Sequence, residues 1–261
     1  MYWILQRRFK NDPAFRELCR NLERLEIEHS FCEVIPFSNQ FKEEPILPES
    51  DKLIFTYGSY TLSKVAIELG WAPGAFNSPN LSQVSLWHVY GPDMFNYDMD
   101  GATLKDANPK GTFFMRPMED TKSFEAKVRT EEEFNEWRDS IAKLEDEFST
   151  VDLDTKVVWC TPKTIEQEVR FFIVDGKVVT YSQYIIGDQV KYSPVVDQYI
   201  IDYAQDLCDF YTPDLAYVMD IAVSNDKPKL LECNSINSSG LYAIDTQKFI
   251  MAIEELGRKY S

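Results

Sequence analysis

Tyr217-Val-Met-Asp220-Ile-Ala-Val-Ser-Asn-Asp-Lys-Pro-Lys-Leu-Leu-Glu232-Cys-Asn234 reads as a β-hairpin carrying three oxygen ligands. Two apolar-rich runs, Ala216 to Val223 and Lys229 to Cys233, flank the turn-forming residues Ser224 to Pro228, the pattern of two antiparallel strands. A turn centred on Asp226 sets Asp220 opposite Glu232, and strand alternation adds Asn234 to the same face. Like charges directly opposed on paired strands repel, so a carboxylate pair among Val, Met, Ile and Leu needs a compensating cation. Oxygen donors without a His or Cys partner suit a hard divalent ion, and magnesium usually brings substrate phosphates with it. The alternative is a partly solvated hairpin with both acids in water.

Upstream, Glu166-Gln-Glu-Val-Arg-Phe-Phe-Ile-Val alternates, with Glu166, Glu168 and Arg170 on one face and Gln167, Val169, Phe171 and Ile173 on the other. That polar face is either a solvated surface or part of a site. Asp175-Gly176 closes this strand onto Lys177 to Tyr184 as a hairpin. Ser193-Pro194 is expected to open an amphipathic helix through Val196, Tyr199, Ile200, Tyr203 and Leu207. Further upstream, Lys156 to Cys160 forms a strand. Thr130-Glu-Glu-Glu133 is a capping box ahead of Phe134, Trp137, Ile141, Leu144 and Phe148. Strands at Gly111 to Met115 and Ser123 to Val128 carry Arg116, Lys122 and Lys127. Arg116 and Lys122 suit a polyphosphate, or are ordinary surface cations.

The first third alternates strand and helix. Trp3 to Leu5, a helix opened by Asp12-Pro13, Phe31 to Phe37, Lys52 to Tyr57 and a helix ending at Gly70 predict a small α/β domain. Gly58-Ser59 sits at a strand-to-helix turn, either an anion receptor or a plain tight turn. Residues 71 to 109 are dense in Gly, Pro, Asn and Asp, which places a boundary near residues 100 to 108. A terminal helix starts near Asp245.

Hydrophobic residues at 44% and charged residues at 27% describe a globular chain, and a net charge of −16 opposes binding to nucleic acid or anionic membrane. Five cysteines without CxxC spacing argue against a disulfide framework or a zinc site, and fit a reducing cytoplasm. The apolar run after Met1 is too short for a secretory signal, and no segment reaches membrane-spanning length, so the expected location is cytoplasmic.

The ordered set Phe-Phe-Met-Arg116-Pro, Thr-Lys122-Ser-Phe, Glu168-Val-Arg170-Phe-Phe-Ile-Val-Asp-Gly-Lys, Asp220, and Glu232-Cys-Asn234 with Ser-Ser-Gly-Leu-Tyr242 resembles the ATP-grasp superfamily. It is most similar to a phage and bacterial branch of largely unassigned substrates. The resemblance covers about residues 110 to 245. It implies an α+β ATP-grasp fold of two lobes, residues 106–155 and 156–261, holding ATP between them. A small Rossmann-like pre-ATP-grasp α/β domain, 1–105, would come first. It further implies Mg2+ on Asp220, Glu232 and Asn234, with phosphates on Arg116 and Lys122. Adenine would lie against a hinge at Val158-Trp159-Cys160, ribose on Glu166 or Glu168, and Arg170 would face the γ-phosphate or an acyl phosphate. Arg116 stands where many members have lysine. Tyr184, Ser238, Ser239 and Tyr242 are candidates for substrate contacts, although the serines equally suit a helix cap. The implied activity is a carboxylate–amine ligase that joins small-molecule or peptide substrates through an acyl phosphate and releases ADP. A small-molecule kinase and a non-catalytic nucleotide-binding module are the alternatives.

Overall fold

The computed structural model describes residues 1–36, 38–49, 51–118, 123–143, 151–187 and 189–259. Lys122, the 119–121 loop, Leu144 and Phe148 lie outside the described residues. The chain divides into two compact units, residues 1–81 with 165–261, and residues 82–164.

In the first unit, β1 (Tyr2–Gln6), β2 (His29–Val34), β3 (Phe41–Glu43), β4 (Ile54–Tyr57) and β5 (Pro73–Gly74) form a sheet of order β3-β2-β1-β4-β5. Only the β2–β3 pair is antiparallel. All five residues of β1 are buried because both faces are covered. Trp3 and Leu5 face α1 (Pro13–Arg24), whereas Tyr2 and Ile4 pack with Leu62 and Val65 of α2 (Tyr60–Glu68). Asp12 caps α1, accepting from the N–H groups of Ala14 and Phe15 ahead of Pro13, and Ser59 caps α2.

The second unit holds α3 (Gln83–Tyr90) and an antiparallel sheet of β6 (Asp100–Thr103), β7 (Thr112–Pro117), β8 (Lys127–Thr130) and β9 (Lys156–Cys160), in the order β6-β9-β7-β8. The capping box forms at Thr130 and Glu133, opening α4 (Glu131–Ala142). Phe134, Trp137 and Ile141 of α4 cover Phe113, Met115 and Val157. Alternation therefore turns Phe114 and Arg116 to the opposite face.

The C-terminal part of the first unit is a second five-stranded sheet, entirely antiparallel: β10 (Gln167–Val174), β11 (Lys177–Ile186), β12 (Gln189–Ser193), β13 (Ala216–Ser224) and β14 (Lys227–Ser235), in the order β12-β11-β10-β13-β14. Helix α5 is Gln198–Phe210 and α6 is Thr246–Lys259. The helix expected from Ser193 instead starts at Gln198. Ser193 ends β12, and Pro194 with the β-branched Val195 and Val196 makes a poor helix start. Phe172, Ala216 and Val218 join Trp3, Phe55, Phe15, Phe249 and Ile253 in one core, so both sheets of this unit pack about α1 and α6.

Candidate functional site

Asp220 and Glu232 are direct partners in the β13–β14 register, as the hairpin reading requires. The route to that register differs from the expectation. The strands run on to Ser224 and restart at Lys227, with only Asn225 and Asp226 between them, both at positive φ (52° and 59°). Such a pair is the tight left-handed turn that matches strand twist. Pro228 belongs to β14, the last strand of its sheet, where a residue without an N–H is tolerated. A register shift between Asp220 and Ile221 then takes up Leu231 as an extra residue and restores the Asp220–Glu232 pairing.

Asn234 lies opposite Val218, and its Nδ2 donates to Glu232 Oε1 at 2.9 Å, so Glu232 and Asn234 share a face. Asp220 also pairs with Arg170 across β10–β13. Arg170 Nε and Nη2 donate to the two Asp220 oxygens at 2.9 and 2.8 Å, with Arg170 9% and Asp220 1% exposed. The cation beside the carboxylates is thus, among the described residues, a guanidinium. Burial drives the Asp220 carboxyl upward and Arg170 opposes it. Burial also works against the Arg170 charge, but both Asp220 oxygens hold its proton more firmly than in free arginine.

Arg170 lies under an aromatic stack. Its guanidinium carbon is 5.0 Å from the Tyr242 ring centre and 5.5 Å from that of Tyr184. Tyr242, at φ +53°, stacks between Tyr184 and Tyr192, each 4.9 Å away. The Tyr184 hydroxyl donates to Glu168, whose carboxyl is raised by burial against that hydrogen bond. Glu166 is engaged elsewhere, accepting from the N–H of Asn225 at 2.7 Å and of Asp226 at 3.4 Å at the β13–β14 turn. The structure therefore brings Glu168, Arg170, Tyr184, Asp220 and Tyr242 together through direct contacts, with Glu232 and Asn234 on the neighbouring strand.

Ser238 is exposed, whereas the buried Ser239 donates to the Ser235 carbonyl at 2.7 Å. The residue that fixes this loop is Asn237, fully buried. Its Nδ2 donates to the Thr56 carbonyl at 2.6 Å and its Oδ1 accepts from Phe76 N–H at 2.8 Å. At the Gly58-Ser59 turn the N–H groups are already satisfied. Gly58 donates to the Asn237 carbonyl and Ser59 to Gln6 Oε1, which favours the plain-turn reading. A Cβ on Gly58 would stand 2.6 Å from that of Gln6.

In the second unit, Arg116, Val158, Trp159 and Cys160 line one pocket together with Phe114 and Asn96. Arg116 pairs with Val158 and Phe114 with Cys160, and the Cys160 thiol contacts Asn96 Oδ1 at 3.4 Å. The pocket has about 10 Å³ of open space, room for about one water. Gln83 and Met99 complete it. These last residues come from the turn-dense stretch before β7, where no periodicity points to them.

Asp220, Glu232 and Asn234 bring two carboxylates and an amide, the donor chemistry of a hard cation. Among the described residues no group of three or more His, Cys, Asp or Glu is arranged to hold a metal. The oxygen set fits magnesium only as a partial shell, which is how that ion is usually held when phosphates complete it.

Comparisons with known proteins agree with the fold. The structure is similar to D-alanine–D-alanine ligase from Bacillus anthracis, with TM-score 0.61, 12% identity and 100% of both chains covered. It is also similar to the ATP-grasp ligase PsnB complexed with the precursor peptide PsnA2 and AMPPNP, with TM-score 0.59, 12% identity, and 98% of this chain and 97% of that one covered. No curated protein matches the sequence. Residues 98–252, more than half of the chain, match a family described as an ATP-grasp domain, family 2 of its clade. The chain belongs to this ATP-grasp family.

Proposed function

We propose that this protein is a magnesium- and ATP-dependent ligase that joins a carboxylate to an amine, releasing ADP and phosphate. The observation that carries the reading is the Asp220–Glu232 pair, with Asn234 bonded to Glu232 and Arg170 bonded to Asp220, inside the region that matches the ATP-grasp family. The D-alanine–D-alanine ligase relative has been solved with ATP and PsnB with Mg and ADP, in line with these ligands. In this reading Asp220, Glu232 and Asn234 hold the metal, which when bound neutralises phosphate charge. Arg116 and Lys122 contact phosphates, and Trp159 and Cys160 flank adenine. Admitting a purine to that pocket requires its side chains to move, given its present size.

Ribose falls to Glu168 rather than Glu166, since Glu166 already accepts two backbone N–H groups. A substrate carboxylate oxygen attacks the γ-phosphorus and ADP leaves. The amine then attacks the acyl carbon, phosphate leaves, and the nitrogen gives up a proton. Arg170 and Arg116 stabilise charge on the transferring group, so no nucleophilic side chain is needed. Tyr184 and Tyr242, stacked against Arg170, are the better placed substrate contacts. Ser239 is occupied by the backbone.

One observation favours a second reading, a nucleotide-binding module without turnover: the Arg170–Asp220 pair satisfies Asp220 with no metal. The Glu232→Gln variant separates the cases. A ligand at 100 times its Kd stabilises a protein by about 2.7 kcal/mol. Mg·ATP is expected to raise the melting temperature of the native protein, and Glu232→Gln to lose the magnesium-dependent part. ADP release that requires both a carboxylate pool and an amine pool supports the ligase. Nucleotide binding without ADP release supports the module, and AMP with pyrophosphate rejects this chemistry altogether.

A further inference from the structure

The chain carries a net charge of −16, yet one cleft of about 590 Å³ is rimmed by four cations, Arg7, Lys10, Arg16 and Arg20, with no acid in its lining. Arg7 and Lys10 come from the 3-10 turn that follows β1, and Arg16 and Arg20 from the outer face of α1. Phe15 and Phe31 supply apolar walls. Arg7 is fixed in place, paired through two hydrogen bonds of 3.0 and 2.7 Å to Glu43 and lying 5.1 Å from the Phe31 ring centre. Arg16 and Arg20 are exposed and one helical turn apart, where like charges repel. Among the described residues Lys10, Arg16 and Arg20 have no acidic side chain within ion-pair distance.

Three uncompensated cations in an acidic protein, gathered around aromatic walls, call for an anion with apolar parts. The volume falls within the range of about 300–1,000 Å³ typical of ligand sites, larger than one inorganic anion needs. A nucleic acid or a membrane is an extended polyanion and would meet the acidic remainder of the surface. A short peptide does not extend that far. Its carboxylates can take paired hydrogen bonds from arginine while a neighbouring apolar side chain rests on Phe15 and Phe31.

We propose that the cleft between α1 and β2 docks a short acidic peptide segment with an interspersed apolar residue. It shares no lining residue with the candidate site, so the inference stands apart from the ligase reading.

The test is fluorescence anisotropy, without nucleotide, of a labelled peptide of alternating glutamate and leucine with one phenylalanine. The comparison probes are the same peptide with glutamine for glutamate and a single-stranded oligonucleotide. The Arg16→Glu/Arg20→Glu variant is expected to weaken acidic-peptide binding at least about tenfold, and added salt to weaken it in the native protein. Arg16→Gln/Arg20→Gln, which introduces no new charge, is expected to weaken it by a smaller factor and guards against misfolding of the first variant. Equal binding of the glutamine peptide, unchanged binding in the glutamine variant, no binding of the acidic peptide up to about 1 mM, or tighter binding of the oligonucleotide would each overturn the proposal.

Discussion

Two neighbouring cross-strand pairs on one face of the β10–β13 ladder are built alike and filled differently. Arg170 faces Asp220, and two residues along each strand Phe172 faces Val218. All four are buried. The apolar pair lies in the core shared with α6, where Phe172 packs edge-on to Phe249 at 5.3 Å. The ionic pair sits beneath the tyrosine stack. A buried ion pair seldom stabilises a fold more than apolar residues of similar size, because desolvation of both charges offsets their attraction. The fold alone therefore does not explain why arginine and aspartate occupy positions that could hold a second Phe–Val pair. The difference marks where folding stops dictating residue type and ligand chemistry begins.

The most forceful way to break the comparison is to remove one charge. Asp220→Ala leaves Arg170 buried without its carboxylate and is expected to cost about 3–5 kcal/mol, read from urea unfolding midpoints, with loss of the Mg·ATP effect. Arg170→Met with Asp220→Leu makes the two pairs alike. That double variant is expected to recover the native stability or exceed it, while Mg·ATP no longer stabilises it. A double variant as unstable as Asp220→Ala would mean that the ion pair holds the fold. On the apolar side, Val218→Ala removes two buried methyl groups, so about 2 kcal/mol should be lost. The Mg·ATP shift should persist there, and its disappearance would show that the two pairs are not functionally separate.

This face also separates what is legible in the sequence from what is not. Period-two alternation puts Glu168 and Arg170 on one face and Asp220 with Glu232 on another, because neighbours along a strand and across a hairpin are local. The Arg170–Asp220 contact joins residues 50 apart, and nothing in either strand announces that β10 and β13 lie side by side. Capping signals are local too, and Asp12-Pro13 and Thr130 with Glu133 form as their spacing predicts. By contrast β5, β6 and α3 lie in the turn-rich stretch where Gly, Pro and Asn mask periodicity, and with them Gln83, Asn96 and Met99. Tyr192 escapes notice because Ser193-Pro194, at the end of β12, reads as a helix start.

The β13–β14 hairpin offers the finest test, since the expected pairing arises through two departures that cancel. The expected five-residue turn is a two-residue one, and the extra residue reappears as the bulge at Leu231. The β10–β11 hairpin closes with the same kind of turn, Asp175-Gly176 at φ 53° and 70°, with glycine in the second place where left-handed backbone is free of strain. Asn225-Asp226 has an aspartate there. Asp226→Gly makes the two turns alike and is expected to stabilise the protein by less than about 1 kcal/mol, the glycine's extra unfolded-state entropy offsetting part of the relieved strain. The bulge lies between this turn and Asp220, so the register at Glu232 and the Mg·ATP shift should not change. Should relieving the turn alter the nucleotide response, the pairing of the carboxylates would depend on the turn and not on the bulge that follows it.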